Sequence, residues 1–226
     1  MTTSSTSAET VRMAVMRLFG ARDASAIDDH FGPVYTQHSA LGADGLEGLR
    51  GLFGRLPESF GYELVRLIAD DDLVVTQGLY SGFGSVPMAG FDVWRLDAAG
   101  RIVEHWDALA PVSAVTQVLD GARTPGVAQF TDLSRDHLAA LLSGDSAPVA
   151  AEEHGTVWGL APAPLERGVV RQLIADGDFV FTRSEGSAGA PVIINDLWRF
   201  EGGELAEHWG LIATVPEQLP HANGVF

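Results

Sequence analysis

The sequence predicts an α+β fold in two tandem units, each a curved, mostly antiparallel sheet wrapped around helices. Three observations carry this. Residues 91–109, FDVWRLDAAGRIVEHWDAL, read as two strands joined by a tight turn at 97–100, with β-branched and aromatic residues on both arms. The pattern returns in residues 195–212 as NDLWRFEGGELAEHWGLI, and LIADDDLVVT at 67–76 returns as LIADGDFVFT at 173–182. Two blocks in one order at similar spacing mark a tandem duplication. Within each copy the helical pattern comes first and a run of strands follows. The expected organisation is a unit over 1–114, a connector over 115–129, and a shorter, degenerate unit over 130–226.

In chain order, Thr6-Ser7-Ala8-Glu9 resembles a capping box, and Val11, Val15, Leu18 and Phe19 then recur at helical spacing. A short helix is expected over 24–31, ending near Gly32-Pro33. The polar and aromatic segment 34–38 leads into glycines at 42, 45, 48, 51 and 54. Leu46, Leu49, Leu52, Phe53 and Leu56 supply an apolar face, so a helix is preferred there over a phosphate loop. Each interior glycine costs about 1 kcal/mol relative to alanine, so this helix must be held by packing. Strands follow over 62–69 and 73–80, with Asp70-Asp71-Asp72 as a solvated turn. Residues 112–129 carry the Ala/Gly/Pro/Thr bias of a connector. The second unit opens with a helix over 133–142. Glu152-Glu153-His154-Gly155 stands as a worn counterpart of Gln37-His38, residues 159–164 are too proline-rich for the glycine-patterned helix, and strands resume at Val169.

Composition removes several function classes. The formal net charge of −16 argues against nucleic acid and anionic membranes as partners. There is no cysteine, hence no disulfide, thiolate nucleophile or thiolate metal site. All 14 basic residues are arginines, which excludes Schiff-base chemistry and a lysine-bearing phosphate loop. The first residues lack a signal peptide's pattern, and no stretch approaches the roughly 20 apolar residues of a membrane span, so a cytoplasmic location is expected.

If Leu96 and Arg101 close the first hairpin, Asp92 falls opposite His105 and Trp94 opposite Val103. Alternation then puts Asp92, Trp94, His105 and Asp107 on one face, with Phe91, Val93, Glu104 and Trp106 on the other. Two carboxylates, an imidazole and an indole on one patch form the candidate site. Where the first copy has Asp107, the second has Gly210.

The segments YTQHSALGADGLEGLRGLF and DVWRLDAAGRIVEHWDALAPV, with the tail TVPEQLPHANGVF, resemble the SnoaL-like polyketide cyclase branch of the nuclear transport factor 2-like (NTF2-like) superfamily. The first half matches nearly the whole pattern, and the second matches chiefly in its strands. The resemblance implies cone-shaped domains with a pocket inside the sheet, and aldol-type cyclisation by acid–base chemistry without metal or cofactor. Relatives of that fold also include isomerases, dehydratases, epoxide hydrolases and plain binding modules, so fold alone does not fix the reaction.

On this reading the chain is a cofactor-independent acid–base enzyme for a small apolar carbonyl compound. The alternative is a non-catalytic module that shelters a hydrophobic ligand. Asp107 is the candidate general base, its pKa raised by an apolar cavity. For Asp92 and His105 two readings stand: a proton relay, or a structural hydrogen bond, the latter favoured by the retention of Asp196 and His208 in the second copy. His38 is either a carbonyl-polarising group at the pocket mouth or a satisfied loop histidine. Tyr35, Gln37 and Trp94 are candidate substrate-binding residues, and Trp106 a core or interface residue. No metal site is expected, since no compact histidine motif is present. The two halves are expected to pair through their outer faces as an internal pseudo-dimer, through Val93, Trp106, Leu197 and Trp209, with homodimerisation a further option.

Overall fold

The computed structural model of the chain describes residues 3–127, 132–143, 155–159 and 164–226. The first half contains α1 (Thr3–Val15), a π-helical turn (Met16–Gly20), α2 (Ala26–His30), β1 (Phe31–Gln37), α3 (Gly45–Gly54), β2 (Gly61–Asp70), β3 (Leu73–Ser81), β4 (Met88–Leu96) and β5 (Ile102–Pro111). After α4 (Val115–Leu119), the second half contains α5 (Asp132–Ser143), β6 (Gly155–Gly159), β7 (Glu166–Asp176), β8 (Phe179–Ser187), β9 (Pro191–Glu201) and β10 (Glu204–Thr214).

Both sheets have five strands in the same topological order, β1-β5-β4-β3-β2 and β6-β10-β9-β8-β7. In each the first strand runs parallel to the last, and the other pairs are antiparallel. This repeated order makes the molecule two tandem α+β domains. The inner face of the first sheet packs on α1, α2 and α3 through Val11, Leu18, Ile27, Leu49, Val74 and Trp94. Its outer face joins a separate core that includes Val93 and Trp106 of the first half with Leu197 and Trp209 of the second. Strand alternation dictates this division, because each strand is apolar on both faces and both must be covered.

Several local expectations change. The helix spans Thr3–Val15, so Thr6–Glu9 lies inside it and not at its N-cap. Instead Ser7 Oγ donates to the Asp71 carbonyl and Ser4 Oγ accepts from the Asp71 N–H, tying α1 to the β2–β3 turn. The short helix runs over Ala26–His30 and ends just before Gly32-Pro33, which lie within β1. In the main hairpin Asp92 faces Asp107 and Trp94 faces His105. The cause is the turn: Asp97 N–H bonds the Arg101 carbonyl, and Val103 is left unpaired as a bulge between Leu96/Ile102 and Arg95/Glu104. The slip is one residue at the turn and two beyond the bulge, so Ile102 moves to the inner face beside Leu96 while Asp92, Trp94, His105 and Asp107 still share theirs.

Residues 115–127 are no loose connector. Val118 is fully buried, and the Arg66 guanidinium holds the segment through the carbonyls of Val118 (2.8 Å), Asp120 and Ala122 (2.7 Å). Strand β7 starts at Glu166, three residues before Val169. Glu152, Glu153, His154 and residues 160–163 lie outside the described residues, as do 128 and 129 at the end of the expected connector. Among the described residues no helix is long and apolar enough to cross a membrane.

Candidate active site

Asp92 on β4, with His105 and Asp107 on β5, brings one ligand-capable atom each to within 4.8 Å of one another. His105 Nε2 lies 3.1 Å from Asp92 Oδ1, and His105 Nδ1 lies 2.9 Å from Gln37 Oε1. The same Gln37 oxygen accepts the Ser39 backbone N–H at 3.1 Å, which fixes the amide's orientation. Nδ1 therefore donates, and a further proton is needed between Nε2 and Asp92 to prevent two acceptors facing each other. Trp94 stacks on the imidazole at 4.0 Å and anchors its own Nε1–H on Thr76 Oγ1 at 3.0 Å.

Tyr80 and Ser39 complete the patch, and the sequence reading missed both. Tyr80 Oη donates to Asp92 Oδ2 at 2.5 Å; burial first, then the Asp92 charge, push its phenol well above the ordinary range and keep it protonated. Ser39 Oγ donates to Asp107 Oδ2 at 2.7 Å. The signal for Tyr80 was its glycine surroundings. A Cβ on Gly90, on the neighbouring strand, would stand 2.7 Å from the Tyr80 ring, so the ring fits only because glycine is there. Burial raises the Asp107 pKa above the usual carboxylate range, with nearby Asp92 adding to the rise and His105 and Ser39 opposing it. The residue is nevertheless partly exposed, because its carboxylate faces a cavity.

Two cavities meet at Asp107. The inner one, about 40 Å³, lies inside the sheet among Gln37, Asp92, Trp94 and His105. The outer one, about 280 Å³, opens beside His38, Met88, Ile193, Thr214 and Val225. Leu41, Phe83, Asp107 and Leu109 border both. Gln37 Nε2 is fully buried and makes no hydrogen bond of ordinary geometry among the described residues, although Gln37 lies close enough to Tyr35 to oppose the rise of that phenol's pKa.

Not every candidate joins this group. His38 borders the outer cavity, but its ring is stacked on Trp106 at 4.8 Å. Its Nε2 lies 2.8 Å from Glu104 and its Nδ1 3.0 Å from the Gly224 carbonyl. Both nitrogens are occupied, so His38 holds the tail in place of polarising a ligand; burial also lowers its pKa. Tyr35 borders neither cavity. It packs edge-on against Phe31 at 5.4 Å, and burial raises its phenol well above the ordinary range.

The second half keeps a remnant. Trp198 stacks on His208 at 4.0 Å, and His208 Nε2 lies 2.8 Å from Asp196 Oδ1. Strand pairing sets Gly155 beside His208 as Gln37 is set beside His105, and His208 Nδ1 has no partner among the described residues. The duplicated blocks align Gly186 with Tyr80 and Gly210 with Asp107. Arg167 Nη1 binds Asp196 Oδ2 at 2.6 Å where Tyr80 binds Asp92.

Residues 13–105 match the SnoaL-like domain family. The match lies within the first half and covers less than half of the chain. Among solved structures the chain is similar to a putative polyketide cyclase from Acidithiobacillus ferrooxidans, at 21% identity, 48% coverage of this chain and 91% of that one, and a TM-score of 0.39. A steroid delta-isomerase from Pseudomonas aeruginosa aligns at 22% identity, 50% and 85% coverage, and a TM-score of 0.41. An LEH-like epoxide hydrolase from M. tuberculosis aligns at 20% identity, 47% and 84% coverage, and a TM-score of 0.39. No protein of curated function matches the chain. These three alignments each cover half of the chain or less. The first half holds the complete constellation of Gln37, Ser39, Tyr80, Asp92, His105 and Asp107, and the second half holds only part of its counterpart.

Proposed function

We propose that the protein is a cofactor-independent acid–base enzyme that deprotonates a small apolar carbonyl compound next to its carbonyl, in an aldol-type cyclisation or a related isomerisation. The observation carrying this reading is Asp107: a carboxylate with a burial-raised pKa at the neck between two cavities, oriented by Ser39. A raised pKa makes it a stronger base once ionised, suited to proton abstraction near neutral pH. The inner cavity holds little more than one water's share of liquid volume, about 30 Å³. A carbonyl oxygen entering it meets the buried Gln37 amide, whose Nε2–H would donate to the enolate oxygen as charge develops, while His105 and Asp92 hold that amide in place. Without a lysine in the chain, the intermediate is an enolate and not an enamine.

The test is deuterium incorporation at the α-carbon of aryl ketones such as 1-tetralone in D2O, followed by NMR. Asp107→Asn should lower the exchange rate by roughly 10²–10⁴-fold, the usual loss with a positioned base, while ketone binding persists. His208→Ala, in the half that lacks the carboxylate, should leave exchange intact. Binding without exchange by the native protein would favour a ligand-binding module instead. The Asp92, His105 and Asp107 cluster has the composition of a cation site, so exchange is also measured after chelation. Stoichiometric metal lost together with activity would overturn the metal-free mechanism.

A further inference from the structure

The outer cavity has walls from both halves. The first half contributes Leu41, Phe83, Met88 and Leu109, and the second half contributes Ile193, Ala213, Thr214, Pro216 and Val225. With the inner cavity limited to about 40 Å³, the outer cavity of about 280 Å³ is the space bordering Asp107, among the described residues, that can take the body of a ligand. That size lies just below the roughly 300–1,000 Å³ of typical small-molecule sites. We propose that the degenerate second half is the specificity wall of the first half's site: it binds the uncharged, apolar body of the substrate while the reacting end sits at Asp107.

Three features favour this assignment. Among the described residues no arginine lines the cavity (Arg183 hydrogen-bonds Asp107 only at its carbonyl, from behind the wall), and the Asp107 carboxylate would repel a carboxylate or phosphate, as would the net charge of −16. The wall is also rigidly placed. His221 Nε2 bonds the Ser39 carbonyl (2.9 Å), Asn223 Nδ2 donates to the Gln37 carbonyl (2.9 Å) and Asp44 (2.8 Å), and Arg183 holds the Val225 carbonyl (2.8 Å). Finally, the second half has lost the counterparts of Gln37, Tyr80 and Asp107 but retains a packed sheet, as a supporting role requires.

The inference rests on Asp107 being the reacting group, but its test does not require turnover. Thr214 is exposed at the cavity wall, so Thr214→Trp should fill the cavity without disturbing the core; Ala213→Phe intrudes from the adjacent position. Calorimetric titration with 1-tetralone should show at least tenfold weaker binding to each variant, with unchanged melting temperature. Asp107→Asn should bind as the native protein does. Unchanged affinity in both filling variants, or no binding of 1-tetralone to the native protein, would overturn the assignment. Normal exchange by Asp107→Asn combined with weakened binding by Thr214→Trp would instead sink the catalytic role of Asp107 and leave the wall standing.

Discussion

At Asp107 burial raises the pKa, so the folded protein holds this proton more tightly than the unfolded chain does. Its contribution to stability is full below the ordinary carboxylate range and is lost as pH rises through the folded value. At neutral pH the ionised carboxylate is therefore a cost to folding, which Asp107→Asn removes. The variant should melt higher than the native protein at pH 7, and the difference should shrink toward pH 3; a lower melting temperature at both pH values would count against a strained base. Asp196 behaves oppositely: burial would raise its pKa, but Arg167 and His208 outweigh burial and lower it. Its contribution is present above the ordinary carboxylate range and lost as pH falls through the depressed value. The sequence disclosed the shared face of Asp92, Trp94, His105 and Asp107 because alternation depends on parity alone, and the two-residue slip beyond the bulge preserves parity. Ser39 and Tyr80 were hidden because their contacts cross between strands and loops, which no local periodicity encodes.

The segments that follow each sheet are the same structural piece. Aligned on the duplication, VSAVTQVLDGA (112–122) lies over VPEQLPHANGV (215–225), with Gly121 and Gly224 both at positive φ, +83° and +73°. Val112 N–H bonds the Pro87 carbonyl and Val215 N–H bonds that of Pro191. Arg66 holds Ala122, and Arg183 holds Val225. The arginine has moved to the neighbouring strand between copies: Arg66 pairs with Gln77 across β2 and β3, and Gln172 with Arg183 across β7 and β8. Composition alone suggested a connector, since Ala, Gly, Pro and Thr mark loops whether or not they are packed; the paired glycines betray the fold. Arg66 is buried, bonds three carbonyls and Gln77, and lies 3.9 Å over the Trp209 ring. Arg66→Met should leave those carbonyls unsatisfied and cost about 3 kcal/mol in urea unfolding. A loss below about 1 kcal/mol would mean that the strap is held by its own packing.

Across the whole molecule, the duplication was legible, and with it the two sheets; their mutual arrangement rests on which apolar face is left uncovered by helices. The outer faces share one core, in which Phe91 meets Phe181 at 5.5 Å and Phe179 stacks on Trp209 at 5.9 Å. Each post-sheet strap also reaches across the seam: Ala122 N–H points at Glu207, and the Gly224 carbonyl meets His38. Separating the halves would expose Val93, Trp106, Phe91 and Val75 together, an apolar patch of the kind that monomers rarely show to water. In the intact chain, tethering keeps the partner at an effective concentration on the order of millimolar for a short linker, so the covering is intramolecular. A chain of residues 1–115 alone should therefore aggregate or pair with a second copy through this outer face, as measured by light scattering across a dilution series. Val93→Asp within that fragment should dissolve such a pair, since a charge at the centre of the seam cannot be buried without a partner. A stable monomer from residues 1–115 would show that the outer face tolerates water, and the pseudo-dimeric arrangement would then not be what holds the halves together.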